Sequence, residues 1–278
     1  MHLVDTHQHL WNLRQFPYSW CATIPALNRS FSVDDYRAAA AGTAITQTVF
    51  MECDVDDPHQ LAEARHVQHL ADADPLIGGI VASGRPEQDG FRAHLEALVR
   101  LPKLRGIRRV LHVVRDDLCL EPRFAENLRL LPDFGLTFDV CALPRQHANI
   151  RTLVERCPQV TFIIDHVGVP DVKNRLEEPW RTGLAQLAEF PNVHCKISGL
   201  VAYADPASWS VEDLRPYFEH AVACFGWDRL VWGGDWPVCT LSAPLARWIE
   251  ATHALTAKAT PEQRARLYHR NAERIYRV

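Results

Sequence analysis

No run of residues in this sequence approaches the ~20 consecutive apolar positions that a membrane-crossing helix needs, so no such helix is expected. Met1-His2-Leu3-Val4-Asp5 has no cationic stretch followed by an apolar one, so nothing there is expected to direct secretion. Charge of one sign is also missing: 30 basic and 34 acidic residues are interspersed, for a formal net charge of −4. With no basic tract to track phosphates, nucleic acid is a poor partner. The eight cysteines never form a CxxC pair, the closest two being Cys224 and Cys239. Most sit in apolar settings such as Phe138-Asp139-Val140-Cys141, where a reduced thiol acts as a small hydrophobe. A reducing cytoplasm is the expected compartment. Nor does a GxGxxG fingerprint follow the first apolar run, which removes the best support for a dinucleotide fold.

What is present is a globular composition. The chain has 278 residues, 47% hydrophobic and 23% charged, enough to bury a large core. Short β-branched runs alternate with longer helical patterns throughout, the mark of repeated βα units around a parallel sheet. Eight strands are predicted, at Leu3–Thr6, Thr46–Met51, Leu76–Ala82, Leu104–Val110, Leu136–Cys141, Val160–Asp165, Val193–Ile197 and Leu230–Trp232. Runs such as Val160-Thr161-Phe162-Ile163-Ile164 are apolar without alternation, as strands covered on both faces should be. Ser32 with Asp34 and Asp35 opens one helix and Pro58 stands near the start of another. Val211–Phe225 reads as a further helix, and Thr260 with Gln263 forms a capping box for the last. With no linker, residues 1–278 are expected to form one α/β domain, either a (β/α)₈ barrel or a doubly wound sheet.

A parallel barrel collects its active groups at the C-terminal ends of its strands. The first strand ends in Asp5-Thr6-His7-Gln8-His9, and the two-residue spacing puts His7 and His9 on one side, where both can grip one metal ion. An isolated HxH pair is also what coincidence produces among 14 histidines. The sixth run ends in Asp165-His166-Val167-Gly168, and the eighth in Trp232-Gly233-Gly234-Asp235-Trp236-Pro237. A carboxylate leaving a buried strand between glycines and tryptophans is costly unless it binds a cation or handles a proton. The plainer role for Asp235 is a loop or helix cap. His7, His9, His166 and Asp235 weigh more as a set than singly.

At these positions the sequence resembles the amidohydrolase superfamily, in the branch that holds sugar lactonases and pyrone-dicarboxylate lactonase. The resemblance runs from Val4-Asp5-Thr6-His7-Gln8-His9-Leu10-Trp11 through Leu104-Arg105-Gly106-Ile107-Arg108, Asp165-His166-Val167-Gly168 and Lys196-Ile197-Ser198-Gly199-Leu200 to Gly234-Asp235-Trp236-Pro237. It implies a distorted (β/α)₈ TIM barrel, water attack on a lactone carbonyl, and a site at His7, His9, His166 and Asp235. Two departures argue against a binuclear metal centre. The fourth strand offers arginines in place of a bridging lysine, and the fifth ends in Val140-Cys141-Ala142 with no histidine. That leaves one divalent ion on His7, His9 and Asp235, with or without His166, or no metal at all. Imidazole donors suit zinc better than magnesium.

Around this centre, Glu52 ends the second strand and can meet a substrate hydroxyl, orient a histidine or pair with an arginine. Arg108 matches the substrate-binding arginine of the family, whereas Arg109 points the other way. His112 is a hydroxyl partner or a plain loop histidine; Lys196 needs a counter-charge or a polar ligand, and with Arg108 it is expected to hold hydroxyls or a carboxylate of the substrate. Trp11 and Trp236 are expected to wall a sugar-like ring. In the expected reaction Asp235 takes a proton from water, His7, His9 and His166 act on the carbonyl directly or through the metal, and Asp235 returns the proton to the leaving alkoxide. The substrate implied is a small lactone, first an aldonolactone such as L-fucono- or L-rhamnonolactone, for a monomer or homodimer. Two alternatives are decarboxylation of an aromatic or muconate-like acid on the same fold, and a barrel that only binds a sugar or acid.

Overall fold

The computed structural model, describing residues 2–278, turns each of the eight apolar runs into a strand. They are β1 (Leu3–Gln8), β2 (Ile45–Met51), β3 (Ile77–Ser83), β4 (Leu104–Val110), β5 (Thr137–Cys141), β6 (Thr161–Ile164), β7 (Val193–Ile197) and β8 (Leu230–Trp232). Each pairs in parallel with the next in chain order, and a helix follows every strand: α1 (Val33–Ala39), α2 (Gln60–Ala73), α3 (Phe91–Leu98), α4 (Pro122–Leu128), α5 (His147–Arg156), α6 (Trp180–Ala188), α7 (Val211–Phe225) and α8 (Leu245–Leu255). This is the single-domain (β/α)₈ barrel, and the doubly wound alternative falls because no strand is out of sequence order. The expected caps form: Ser32 Oγ accepts from the Asp35 amide while the Asp35 carboxylate accepts from Ser32 N–H, and Thr260 pairs with Gln263 in the same way. The last helical stretch is broken, as Pro261–Ala265 and Asn271–Tyr276 flank a π-turn at Arg266–Arg270. Among the described residues no helix is long and apolar enough to cross a membrane, and all eight cysteines are free thiols.

The barrel interior is built in layers. At the bottom, Val4, Val49, Val81, Ile163 and Val231 are buried against Ile275 and Tyr276 of the C-terminal helix, which plugs the N-terminal end. Each such side chain contributes roughly 1.5–3 kcal/mol by leaving water. Above the plug lies a charged layer. Tyr276 Oη donates to Asp139 Oδ1 (2.7 Å), and Lys196 Nζ donates to the same oxygen at 2.7 Å. The far larger apolar cluster, including Phe124, Phe138, Phe162, Trp180 and Trp248, fills the space between strands and helices.

Closure between β1 and β8 is irregular, and that irregularity makes the site. No regular ladder joins the two strands. Thr6 Oγ1 donates to the Trp232 carbonyl (2.7 Å), Asp235 N–H to the His7 carbonyl (2.8 Å), and His9 N–H to the Trp236 carbonyl (2.8 Å). Buried Asp5 ties the seam from below, accepting from the amides of His7 (2.9 Å) and Gly234 (2.6 Å) and from Tyr36 Oη (2.7 Å). The end of β1 and the turn after β8 are thus one fastened unit.

Candidate active site

At that seam Asp235 faces three histidines. Asp235 Oδ1 is 3.8 Å from His7 Nε2 and 3.6 Å from His9 Nε2, and Oδ2 is 3.9 Å from His166 Nδ1. All four side chains are nearly inaccessible. Asp235 and His166 hold left-handed backbone at φ 55°, and β-branched Val167 follows at φ 53°. Non-glycine residues in this region cost about 1–3 kcal/mol each and tend to mark functional sites. Two glycines make the room: a Cβ on Gly233 would stand 2.7 Å from the His7 Cβ, and one on Gly199 would stand 2.6 Å from His166 Nδ1.

Hydrogen-bond partners assign the tautomers. His9 Nδ1 donates to the Met51 carbonyl (2.9 Å), which leaves the lone pair on Nε2. Arg108 Nη1 donates to His7 Nε2 at 3.1 Å, so the His7 lone pair is also on Nε2, with Nδ1 turned toward Asp165 Oδ1 at 3.5 Å. Burial holds His7 well below the ordinary imidazole range, Asp165 only partly opposing it, and it lowers His166 as well. Both are neutral imidazoles. Two lone pairs and a carboxylate oxygen facing one another at 3.6 to 3.8 Å repel unless a proton, a water or a cation lies among them. Ligands about 2.1 Å from a tetrahedral zinc stand roughly 3.4 Å apart, so this trio suits a divalent ion; its atoms all fall within 4.8 Å of one another. The fit has one competitor: Arg108 Nη1 lies 3.1 Å from His7 Nε2.

A chain of buried charges supports the centre. Arg108 Nε donates to Glu52 Oε1 at 2.8 Å, and its Nη1 is 3.5 Å from Asp165 Oδ2. Lys196 Nζ lies 2.9 Å from Asp165 Oδ1. Burial pushes the Asp165 carboxyl up, but Lys196 above all, with His7 and Arg108, outweighs it and holds the group well below the usual carboxylate range. Likewise Arg108 and Arg85 overcome burial and lower Glu52. Burial by itself would lower Lys196; Asp139 and Asp165 outweigh it and raise the ammonium above its ordinary value.

The centre opens into a cleft of about 410 Å³, reached by His9, His166, Asp235, Arg108, His112 and Trp11. His7 sits behind them, fully buried. Three expected substrate-binding residues lie elsewhere. Lys196 is completely buried in the charged layer, with its counter-charges in Asp139 and Asp165. Glu52 is equally buried, its oxygens taken by Arg108 and the Asp54 amide (2.8 Å). Trp236 packs edge-on against Phe31 and Tyr36, both at 5.4 Å between centroids, outside the cleft. Arg109 pairs with Glu87, away from the site. Sequence reasoning passed over Asp5, Asp139 and Asp165 as working residues. A carboxylate at an interior strand position, as in Thr137-Phe138-Asp139-Val140, was the available signal.

The family model for amidohydrolase matches residues 4–278. The chain belongs to the amidohydrolase family. It is a hydrolytic enzyme of that family, and its likeness to known members covers nearly all of it. An L-fucono-1,5-lactonase of Burkholderia ambifaria is 28% identical over 99% of this chain and 95% of its own. One of Burkholderia multivorans is 28% identical over 98% and 95%. Among solved structures, a Burkholderia multivorans amidohydrolase crystallised with bound zinc superposes with a TM-score of 0.89 at 26% identity, covering 100% of both chains.

Proposed function

We propose that this amidohydrolase opens a lactone by adding water to its carbonyl, with Asp235 as the proton carrier. The observation that carries the reading is the meeting of Asp235 with His7, His9 and His166 at the floor of a cleft that also holds Arg108. The two lactonase relatives support the substrate class. They put L-fucono-1,5-lactone first among reference substrates, and L-rhamnonolactone is a second aldonolactone to set beside it.

Asp235, acting as a carboxylate, accepts a proton from water as the water oxygen attacks the carbonyl carbon. Arg108 is the cleft's fixed cation and steadies the oxyanion. When the tetrahedral intermediate collapses, the ring C–O bond breaks and Asp235 returns the proton to the departing alkoxide, giving a hydroxy acid. His9 and His7, with lone pairs on Nε2, cannot donate to the carbonyl in their neutral forms; they hold water or a metal in place. Zinc on His7, His9 and Asp235 would supply Lewis-acid polarisation of the carbonyl. His166 donates or accepts through Nδ1, which it shares with Ser198 Oγ at 3.0 Å.

The test is a pH-indicator screen of lactones with protein of measured metal content. Acidification that depends on enzyme and is lost in Asp235→Asn supports the reading. Release of CO₂ from an aromatic acid, with no lactone opened, would replace it with decarboxylation.

A further inference from the structure

The lactonase reading leaves open what kind of lactone fits, and the cleft walls carry that information. Polar groups are gathered at the floor. Above them the accessible wall is mostly carbon, supplied by Trp11, Trp20, Ile24 and Leu27 after β1 and by Val238 and Leu241 after β8. Val113, at the mouth, is 60% exposed, an apolar side chain facing water.

In the segment after β1 that builds this wall, the side-chain polar atoms are already engaged. Trp11 Nε1 donates to the Arg29 carbonyl (2.7 Å) and Trp20 Nε1 to the Cys53 carbonyl (2.8 Å). The indoles therefore offer only their ring faces and edges. Thr23 Oγ1 donates to the Trp20 carbonyl (2.7 Å). Elsewhere in the lining Asp54 pairs with Arg85 through one oxygen at 3.4 Å, His112 Nδ1 lies 3.1 Å from Cys141 Sγ, and Tyr203, its ring 6.0 Å from that of His166, keeps a free hydroxyl near the floor. Glu52 and Lys196, the residues best suited to hold ring hydroxyls, are locked in ion pairs outside the cleft. Polar partners are confined to the floor and its edge, so hydroxyls of a sugar ring that face the carbon wall are left unpaired, which weakens binding. A site built to bind hydroxyls presents matched partners instead.

We propose that the preferred substrate is a lactone carrying an alkyl or aryl substituent, whose ring meets the polar floor while the substituent lies against Trp20, Ile24, Val238 and Leu241. This rests on the lactonase reading and narrows it. The volume of about 410 Å³ is ample for a six-membered lactone with a chain of several carbons, at the small end of ordinary ligand pockets.

Three probes test it: δ-valerolactone, the same ring with a pentyl chain beside the ring oxygen, and L-fucono-1,5-lactone, each with Asp235→Asn as the blank. The expected order of kcat/KM is pentyl lactone first, then the parent ring, with L-fucono-1,5-lactone at least about tenfold below the pentyl lactone. Leu241→Asn should shrink the pentyl-to-parent ratio by about tenfold, and an unchanged ratio counts against the proposal. L-fucono-1,5-lactone opened as fast as the pentyl lactone overturns the proposal and leaves the lactonase reading standing. No opening of any probe removes both.

Discussion

Arg108 and His7 share a contact that sets the state of the site: Arg108 Nη1 lies 3.1 Å from His7 Nε2, the nitrogen that carries the lone pair. The same lone pair is needed by any metal bound with His9 and Asp235. It cannot serve a guanidinium N–H and a cation at once, so an arriving metal must displace Arg108 and settle beside its positive charge. Arg108 therefore opposes metal binding while it serves the oxyanion.

Arg108→Met should separate these roles. Zinc affinity, by isothermal titration, is expected to rise about tenfold or more, since one charge-assisted hydrogen bond is worth roughly 1.5–3 kcal/mol. Turnover of the lactone is expected to fall about 10²–10³-fold. Unaltered zinc affinity would show that the guanidinium yields freely.

Asp235→Asn keeps the shape of the side chain and removes its basicity. The loss in kcat should be about 10²–10⁴-fold, while the melting temperature stays close to that of the parent, because the Asp235 amide, not its carboxylate, fastens the seam to His7. Near-normal turnover in a folded variant would end the role assigned to Asp235.

Lys196 is the counter-charge for two buried carboxylates, at 2.7 Å from Asp139 and 2.9 Å from Asp165. Removing one partner of a buried pair costs about 3–5 kcal/mol. Lys196→Met is expected to lose that much in urea unfolding, and adding Asp139→Asn should restore part of it by lowering the stranded charge. A double variant no more stable than the single one would deny the coupling.

The barrel was legible because its signal is repeated. Buried parallel strands must be apolar on both faces, and the helices between them carry caps such as Ser32 and Thr260 that bond locally. The strand-end residues were legible for a related reason: His7, His9, His166 and Asp235 each interrupt an apolar run, and a barrel brings such interruptions together. What could not be read was partnership. Lys196 and Glu52 stood out as charges needing partners, yet which carboxylate or arginine would face them depends on strands distant in sequence. Trp236 was read as a wall, but the turn after β8 sends its ring toward Phe31 and Tyr36. The apolar wall of Trp20, Ile24, Val238 and Leu241 lies in loops with no period to betray it.

Glu63 predicts a dependence of stability on pH that is separate from catalysis. It is buried, its Oε1 accepts from Tyr18 Oη at 2.9 Å, and its Oε2 has no partner. Burial first, and the Glu52 charge second, push its carboxyl up from 4.5 to about 8. The folded protein thus holds a proton that the unfolded chain releases near pH 4.5. The stabilisation is complete below that pH and is lost as the pH rises through about 8, in the direction linkage requires. At 1.36 kcal/mol per pKa unit the full span is on the order of 5 kcal/mol. Glu63→Gln keeps an acceptor for Tyr18 and cannot ionise. The unfolding free energy of the parent, measured in urea from pH 5 to 8.5, should therefore fall relative to this variant as the pH rises. Parallel curves for the two proteins would mean that Glu63 is already ionised in the folded state.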